Sequence, residues 1–482
     1  MYGQAGRKGY EVRLVRMNRW DDRVRGERKS GGRIVGRAAV VLAAMTAAFA
    51  ACMWIIWFLS PIDAEKTTIV SEKEMLAAAP EAGPIQGPEP EAIVMEEPEP
   101  ESKIPLVAID PGHGGEDEGC SGDGVQEKDI NLEVAQRLAV RLRDMGFDVI
   151  LTREDGEKEI SLKERVDLAE EKGADIFVSI HQNASEKAVS SAKGIETWYC
   201  GRDRDCRRLA QLIHKGALGK TKARERELQE SRELYVIRET SMPACLIETG
   251  FLTNAEERKQ LCDADYQEKL AEGIAEGIYY YFYPKTMYLT FDDGPSEENT
   301  SKVLDILKER GIKATFFVVG ENVRMHPEVA RRIVEEGHTI GIHCNRHDYE
   351  EIYESAESYL ADFQEAYDTV LEITGVEVKF FRFPGGSINC YNEEVYEEII
   401  AEMTERGFTY FDWNGSLEDA VSKSTPEKLV ENAVKSTLGR KKVVMLAHDI
   451  VYNTTLCLEE LIDSFPEYRM EPLTEEVKPI QF

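Results

Sequence analysis

From about residue 104 onward, short runs of β-branched and other apolar residues alternate with amphipathic stretches long enough for helices, in two consecutive blocks. That alternation is the signature of α/β architecture, in which helices cover a buried sheet. In the first block the apolar runs are Leu106 to Ile109, Val149 to Leu151, Ile176 to Ile180 and Ala244 to Ile247, separated by helical segments such as Leu132 to Met145 and Leu162 to Lys172. In the second they are Tyr288 to Phe291, Thr315 to Val319, Thr339 to Ile342, Phe380 to Phe383, Thr409 to Phe411 and Val443 to Ala447. Only Tyr283-Pro284-Lys285-Thr286 lies between the blocks. Two α/β domains, 104–283 and 284–482, therefore touch or nearly so. Neither block repeats the other.

Upstream the pattern is different. Residues 1–37 carry eleven Lys and Arg against four Asp and Glu, a net of +7 in a chain whose total is −31. Ala38 to Leu59 follow, 22 residues without a charge and with only Thr46 polar. As a helix at ~1.5 Å per residue they span about 33 Å, the thickness of a bilayer core. A buried core helix or a cleaved signal peptide are the alternatives, but the apolar stretch continues through Trp54, Ile55, Ile56, Trp57 and Phe58, past where a signal sequence stops. A membrane helix over 38–60 is expected, with the basic tail in the cytoplasm and everything after Ser60 outside. From Pro61 to Lys103 come seven prolines, eleven acidic residues and three lysines. Such a segment cannot bury enough to fold, and it reads as an acidic, extended stalk of at most about 150 Å. The strongly acidic remainder argues against nucleic acid as a partner. Eight of the nine cysteines lie outside the span, and only Cys200 and Cys206 are close enough in sequence to suggest a bridge, given a turn between them.

Polar clusters close the apolar runs, at the strand ends where α/β folds place their sites. In the first block they are Asp110-Pro-Gly-His113-Gly-Gly, Ser179-Ile-His181-Gln-Asn183-Ala and Glu248-Thr-Gly-Phe-Leu-Thr-Asn254, with Glu127 opening a helix that runs to Met145. Two imidazoles and a carboxylate suffice to hold a catalytic Zn2+ with one position left for water, and a second carboxylate can accept that water's proton. Each residue alone has an ordinary structural reading. Together these motifs resemble those of the zinc-dependent N-acetylmuramoyl-L-alanine amidases over about residues 104–283. The resemblance implies an open twisted α/β sheet, His113, Glu127 and His181 as Zn2+ ligands, Glu248 as general base and Asn183 at the substrate. It also implies hydrolysis of the amide between the lactyl group of N-acetylmuramic acid and the L-alanine of the stem peptide. The charged stretch from Cys200 to Arg232 looks helical and reads as a solvated helix face, too short for an autoinhibitory plug.

The second block opens on Tyr288-Leu-Thr-Phe-Asp292-Asp293-Gly-Pro, two carboxylates at a strand end whose side chains point opposite ways. His343-Cys-Asn-Arg-His347 then puts two imidazoles at i and i+4, able to meet one ion from a helical turn or a tight loop. Arg382-Phe-Pro384-Gly-Gly-Ser, Asp412-Trp413-Asn and Leu446-Ala-His448-Asp449 follow, each closing an apolar run. In this order the clusters resemble the polysaccharide deacetylases (carbohydrate esterases) over about residues 286–470, and the resemblance implies a distorted (β/α) barrel. It further implies Asp293, His343 and His347 as ligands of Zn2+ or another divalent metal, Asp292 as general base and His448 as the acid for the leaving amine. Arg382 would hold Asp292, Asp412 would tune His448, and Pro384, Trp413 and Leu446 would line the substrate slot. Cys344 stands where the family usually has Ser or Thr; a thiol is a weak donor, so the loop between the histidines would be held less firmly. Cys344 as a further ligand or redox sensor is the alternative.

Five of the eight histidines fall in these clusters, and His214, His326 and His338 are left with surface or helix-end readings. The sequence thus predicts a single-pass, cell-wall-side enzyme with two metallohydrolase domains. Its partners would be peptidoglycan glycan strands, stem peptides and the membrane. A catalytically silent wall-binding scaffold, or a deacetylase acting on another acetylated polysaccharide, are the competing readings.

Overall fold

The computed structural model describes residues 103–186, 190–420 and 424–482. The basic tail, the apolar span and the stalk, except Lys103, lie outside the described residues. Among the described residues no helix is long and apolar enough to cross a membrane.

The first half is built on strands β1 (Leu106–Pro111), β4 (Asp148–Leu151), β5 (Ile176–Asn183), β6 (Ile195–Tyr199), β7 (Glu225–Glu230) and β8 (Ala244–Phe251), with a small hairpin of β2 (Ser121–Gly122) and β3 (Val125–Gln126) beside them. The six strands form one sheet in the order β4-β1-β5-β8-β6-β7. β4, β1, β5 and β8 run parallel, and β6 runs antiparallel to β8. Period-two alternation divides the side chains of each strand between two helical layers. Val107 and Ile109 pack with Val134, Leu138, Ile213 and Ile274 from the helices Glu127–Asp144, Arg204–Thr221 and Ala264–Phe282. Ala108 points the other way, to Val166 and Ala169 of the helix Leu162–Lys172. That last helix has clear start and stop signals: a capping box between Ser161 and Glu164, and Gly173 in the left-handed region at its end. The stretch after Cys200 is helical only over Arg204–Thr221 and then becomes β7, so the expectation of continuous helix fails at its second half. β7 reads Glu-Arg-Glu-Leu-Gln-Glu, an edge strand whose polar composition hides it. Cys200 and Cys206 are both buried free thiols and are not bridged.

The second half carries β9 (Lys285–Asp292), β10 (Thr315–Val319), β11 (Thr339–Cys344), β12 (Phe380–Phe381), β13 (Thr409–Tyr410), β14 (Gly415–Ser416), β15 (Lys442–His448) and β16 (Tyr468–Glu471). The sheet order is β13-β12-β11-β10-β9-β15-β14, with β16 added to the starting half of β9. All of these pairs are parallel. No pairing joins β13 to β14 among the described residues, so the predicted barrel is a half-barrel. Helices cover its outside through a large apolar cluster that includes Leu289, Phe316, Ile342, Phe363 and Leu458. A smaller cluster of Tyr288, Phe317, Phe380, Phe411, Val444 and Leu473 fills the inside. Because every strand runs the same way, the acids and imidazoles at the strand ends collect on one rim.

The halves are in contact. Arg207 pairs with Asp463 at 2.9 Å, Lys215 with Glu467 at 2.7 Å, and Arg208 donates to the carbonyls of Tyr280, Tyr281 and Pro466.

Candidate active sites

In the first half, β1 ends at Pro111, and the chain turns through Gly112 into His113, whose φ is 62°. Gly112 is required by a close approach: a Cβ there would lie 2.2 Å from Cε1 of the His181 ring. Two buried arginines hold this turn by its carbonyls. Arg153 donates to Pro111 and Gly112, and Arg165 donates to Pro111 and His113 while pairing with the buried Asp110 at 2.7 Å. Neither arginine was flagged from the sequence, since each lies some forty or more residues from the turn it supports and a charge after an apolar run usually means a surface.

Glu127 starts the helix Glu127–Asp144, and its carboxylate lies between the two imidazoles. Oε1 is 2.9 Å from His181 Nδ1 and Oε2 is 3.3 Å from His113 Nε2. Backbone amides of Gln182 and Cys120 also donate to it, fixing its position. Although burial works against ionisation, hydrogen bonds from His113 and His181 hold the Glu127 carboxyl well below the usual range. One ligand atom from each of His113, Glu127 and His181 lies within 4.8 Å of the others. Asp117, 2.8 Å from His113 Nδ1, orients that ring from behind. Glu248 sits on β8 directly opposite His181 in register. Its Oε2 is buried and has no hydrogen-bond partner, and burial pushes its carboxyl up to about 7, with His181 opposing and Glu127 and Glu196 adding. Asn183 is half-buried at the end of β5, two residues beyond His181.

In the second half, Asp292 is the last residue of β9 and is buried, while Asp293 has a φ of 74° that turns its carboxylate elsewhere. Asp293 Oδ1 lies 3.4 Å from Nε2 of both His343 and His347 and has no hydrogen-bond partner. His343 ends near the tip of β11 and His347 lies in the loop after it, so the tight-loop form of the pair is the one adopted. The His343 Nδ1 bonds the Arg382 carbonyl at 2.9 Å, which leaves Nε2 for the cluster. Asp293, His343 and His347 form the second group whose ligand atoms all lie within 4.8 Å. The thiol of Cys344 is not in that group; it is buried, and burial pushes its pKa far up, the state of an inert thiol.

Arg382, fully buried, donates to Asp292 at 2.9 Å and to Thr290, Phe411 and Asp412. Burial nonetheless raises the Asp292 carboxyl to about 6, against the charges of Arg382 and His448. His448 on β15 is opposite Asp292 in register. The residue that orients it is Asp419, not Asp412. Asp419 Oδ1 is 2.8 Å from His448 Nδ1, and its Oδ2 accepts from the His448 amide and from Thr454. Burial disfavours the imidazolium, but the hydrogen bond and charge of Asp419 outweigh it and raise His448 to about 9. Asp412 instead accepts from the Ser387 amide and hydroxyl and from the Phe482 amide, so it organises the loop that follows Pro384. Nothing in the local sequence singles out Asp419, which directly follows another acid, Glu418. Trp413 is half-buried 3.2 Å from where a Cβ on Gly386 would be, and Leu446 is buried two residues before His448 on β15. A buried Asp449, raised to about 7 by burial, bonds Thr300 at 2.7 Å beneath the Asp292–Asp293 turn.

Of the leftover histidines, His338 is at a helix end, its amide bonding the Ile333 carbonyl just past the helix Pro327–Glu335, but the surface or helix-end reading fails for His214, which lies within the helix Arg204–Thr221. Both are buried, His214 beside Thr197 and His338 accepting from the Ala314 amide. Both donor sets suit a divalent ion: each has two imidazoles with one carboxylate, and a buried carboxylate oxygen without a hydrogen-bond partner among the described residues lies in the second set, at Asp293, and beside the first, at Glu248.

The N-acetylmuramoyl-L-alanine amidase family pattern matches residues 107–280, and the polysaccharide deacetylase pattern matches residues 281–410. The chain is 34% identical over 193 residues to the germination-specific N-acetylmuramoyl-L-alanine amidase of Bacillus subtilis, a match covering 37% of this chain and 81% of that protein. It is 37% identical over 178 residues to the N-acetylmuramoyl-L-alanine amidase LytC of the same organism, covering 36% of this chain but only 35% of LytC. It is 31% identical over 210 residues to the peptidoglycan-N-acetylglucosamine deacetylase of Bacillus cereus, covering 41% of this chain and 73% of that protein.

Proposed function

The chain belongs to the N-acetylmuramoyl-L-alanine amidase family through its first half and to the polysaccharide deacetylase family through its second, and from that premise we propose that it is a bifunctional peptidoglycan hydrolase. The first half cuts the amide between muramic acid and L-alanine, and the second removes N-acetyl groups from amino sugars of the glycan. The observation that carries this reading is the duplicated arrangement of two imidazoles and a carboxylate beside a separate buried acid.

His113, Glu127 and His181 would hold one ion, Zn2+ by the chemistry of the set, and Asp293, His343 and His347 would hold Zn2+ or another divalent metal. A divalent ion in either place supplies a Lewis acid and a positive field that lowers the pKa of a neighbouring water and carboxyl. In the first site Glu248 then takes a proton from the attacking water and returns it to the departing alanine nitrogen as the C–N bond breaks. In the second site the two proton transfers are divided. Asp292, steadied by Arg382, accepts the water's proton, and His448, its Nδ1 occupied by Asp419, presents Nε2 to the leaving amine. Acetate and a free amine are the products. Trp413 and Leu446 face the acetyl methyl, and Pro384 and Asn183 contact substrate in their respective sites.

The reading includes an anchor. The uncharged span 38–60, with the basic tail on its cytoplasmic side and the acidic stalk beyond it, would place both hydrolases at the cell wall. It also includes a sequence of action. Removing the stem peptide bares the lactyl carboxyl of muramic acid, and deacetylating that sugar frees an amine; these are the two groups from which a muramic lactam closes with loss of water.

The test is to incubate the parent ectodomain, Glu248→Ala and Asp292→Asn with peptidoglycan and to identify the muropeptides by mass spectrometry. Glu248→Ala should abolish peptide release while sparing deacetylation, and Asp292→Asn should do the reverse. No turnover by the parent would refute the enzyme reading, and deacetylated glucosamine beside unaltered muramic acid would refute the shared-sugar sequence. In intact cells, added protease should digest both hydrolase halves; their protection would refute the topology.

A further inference from the structure

The segment between Pro384 and Asn392 has no regular secondary structure, yet it is cross-bonded throughout. Ser387 is bound to Asp412 through both its amide and its hydroxyl. The Asn389 and Asn392 side chains accept each other's backbone amides, and their NH2 groups donate to the carbonyls of Pro384, Gly386 and Ser387. The Tyr391 amide is tied down as well, to Asn389 Oδ1 at 2.8 Å. A loop so held does not expose apolar side chains by fraying, but Ile388 is 50% exposed and Tyr391 48% exposed. The Tyr391 ring lies 5.0 Å from that of Tyr349 at an angle of 32°, and Tyr349 lies 5.1 Å from His347. Gly385 makes room for this pair, since a Cβ there would sit 2.9 Å from the Tyr349 ring, and its φ of +75° suits glycine.

We propose that Tyr391, backed by Tyr349 and flanked by Ile388, is a stacking subsite for the pyranose ring next to the one being deacetylated. The inference rests on the deacetylase reading of this half. An acetamido group placed among Asp293, His343 and His347 fixes the position of its own sugar. The glycan then leaves the cluster either past Trp413 or past the two tyrosines, and the second route follows a row of rings about 5 Å apart, Tyr349 standing edge-on to His347 at 87° and Tyr391 tilted 32° against Tyr349. The axial C–H face of a sugar is the ligand chemistry that such a platform takes: it is apolar and flat, bordered by hydroxyls that reach water. The subsite therefore serves polymer length and not the chemistry of the reacting bond.

The measurement is the steady-state deacetylation of two peptide-free probes prepared from peptidoglycan, strands of several disaccharides and the single N-acetylated monosaccharide. Tyr391→Ala should lose about three- to tenfold in kcat/KM on the strands, through KM, and leave the monosaccharide unchanged. Tyr391→Phe, which keeps the ring, should restore the strand activity. Equal loss on both probes, or no loss on either, overturns the proposal. Should the parent deacetylate neither probe, it is the deacetylase reading that fails. Strand binding by calorimetry then decides the subsite: loss in Tyr391→Ala with retention in Tyr391→Phe upholds it, and unchanged binding overturns it.

Discussion

At the scale of single residues, the most consequential pair is His448 and Asp419, because a general acid must be protonated when substrate arrives. With its pKa raised to about 9, His448 carries its proton throughout the neutral range and loses it as pH rises through that value. Deacetylation should therefore show an alkaline limb in kcat/KM near pH 9. Asp419→Asn removes the charge that raised the imidazole and leaves the burial that lowers it, so the limb should move to lower pH and activity near pH 8 should fall severalfold. A pH–rate profile checks this, and a limb that stays in place would assign it to another group. Replacing Asp412, which touches Ser387 and Phe482 but not His448, should leave the position of the limb unchanged. The proposed ligands and bases were legible at this scale because all but Glu127, which opens a helix, lie at or just beyond the end of an apolar run. The groups behind them were not. Arg153, Arg165 and Asp419 reach their partners through tertiary folding, and nothing in local spacing separates a supporting charge from a solvated one.

At the scale of elements, hydrophobic period was a sufficient guide wherever a strand is buried on both faces. Leu106 to Ile109 and Val443 to Ala447 are unbroken apolar runs, and Ile176 to Ile180 is broken only by Ser179, as central parallel strands are, and each lies within a strand. Strands at the margins gave no such signal. β7 is almost wholly polar, β14 has two residues, and β16 is recognisable only because β9 offers it an edge. Helix packing was hidden for a different reason, since it depends on small residues with no pattern of their own. The helices Arg204–Thr221 and Ala264–Phe282 meet backbone to backbone, and a Cβ on Gly216 would lie 2.1 Å from the carbonyl oxygen of Gly273. Gly216→Ala must push the helices apart, because the obstructing atom is main chain and cannot rotate away. We expect a loss of about 1–3 kcal/mol in unfolding free energy. Gly219→Ala, with nothing within 4 Å of its added carbon, should be neutral or slightly stabilising as better helix propensity. Denaturant titration of the two variants tests the contrast, and equal stabilities would mean that the helices part without cost.

At the scale of the whole molecule, the sequence showed that the halves abut but not which surfaces meet. The contacts gather the starting end of the half-barrel: Lys285 opens β9 with its amide on the Glu467 carbonyl, its ammonium lies 4.8 Å from the Tyr280 ring centre, and Asp463 lies in the last turn of the helix Tyr452–Ser464 while Glu467 directly precedes β16. The deacetylase cluster is at the other end of β9, about 23 Å away for seven steps of ~3.3 Å. The amidase cluster stands at the strand ends of β1, β5 and β8, and the helix Ala264–Phe282 runs the opposite way to β8 before β9 begins. Both sites thus open away from the shared interface, and one sugar cannot occupy the two together. If both activities fall on the same muramic acid, that residue is released after the first reaction and bound anew for the second. A mixture of Glu248→Ala and Asp292→Asn should then form the doubly modified muramic acid as fast as the parent at equal concentration of each working site. Direct transfer within one molecule would instead leave the mixture markedly slower, with singly modified strands accumulating. Following the two products over time by mass spectrometry distinguishes these outcomes, and a slow mixture would require the halves to reorient during turnover, breaking the Arg207–Asp463 and Lys215–Glu467 pairs that now join them.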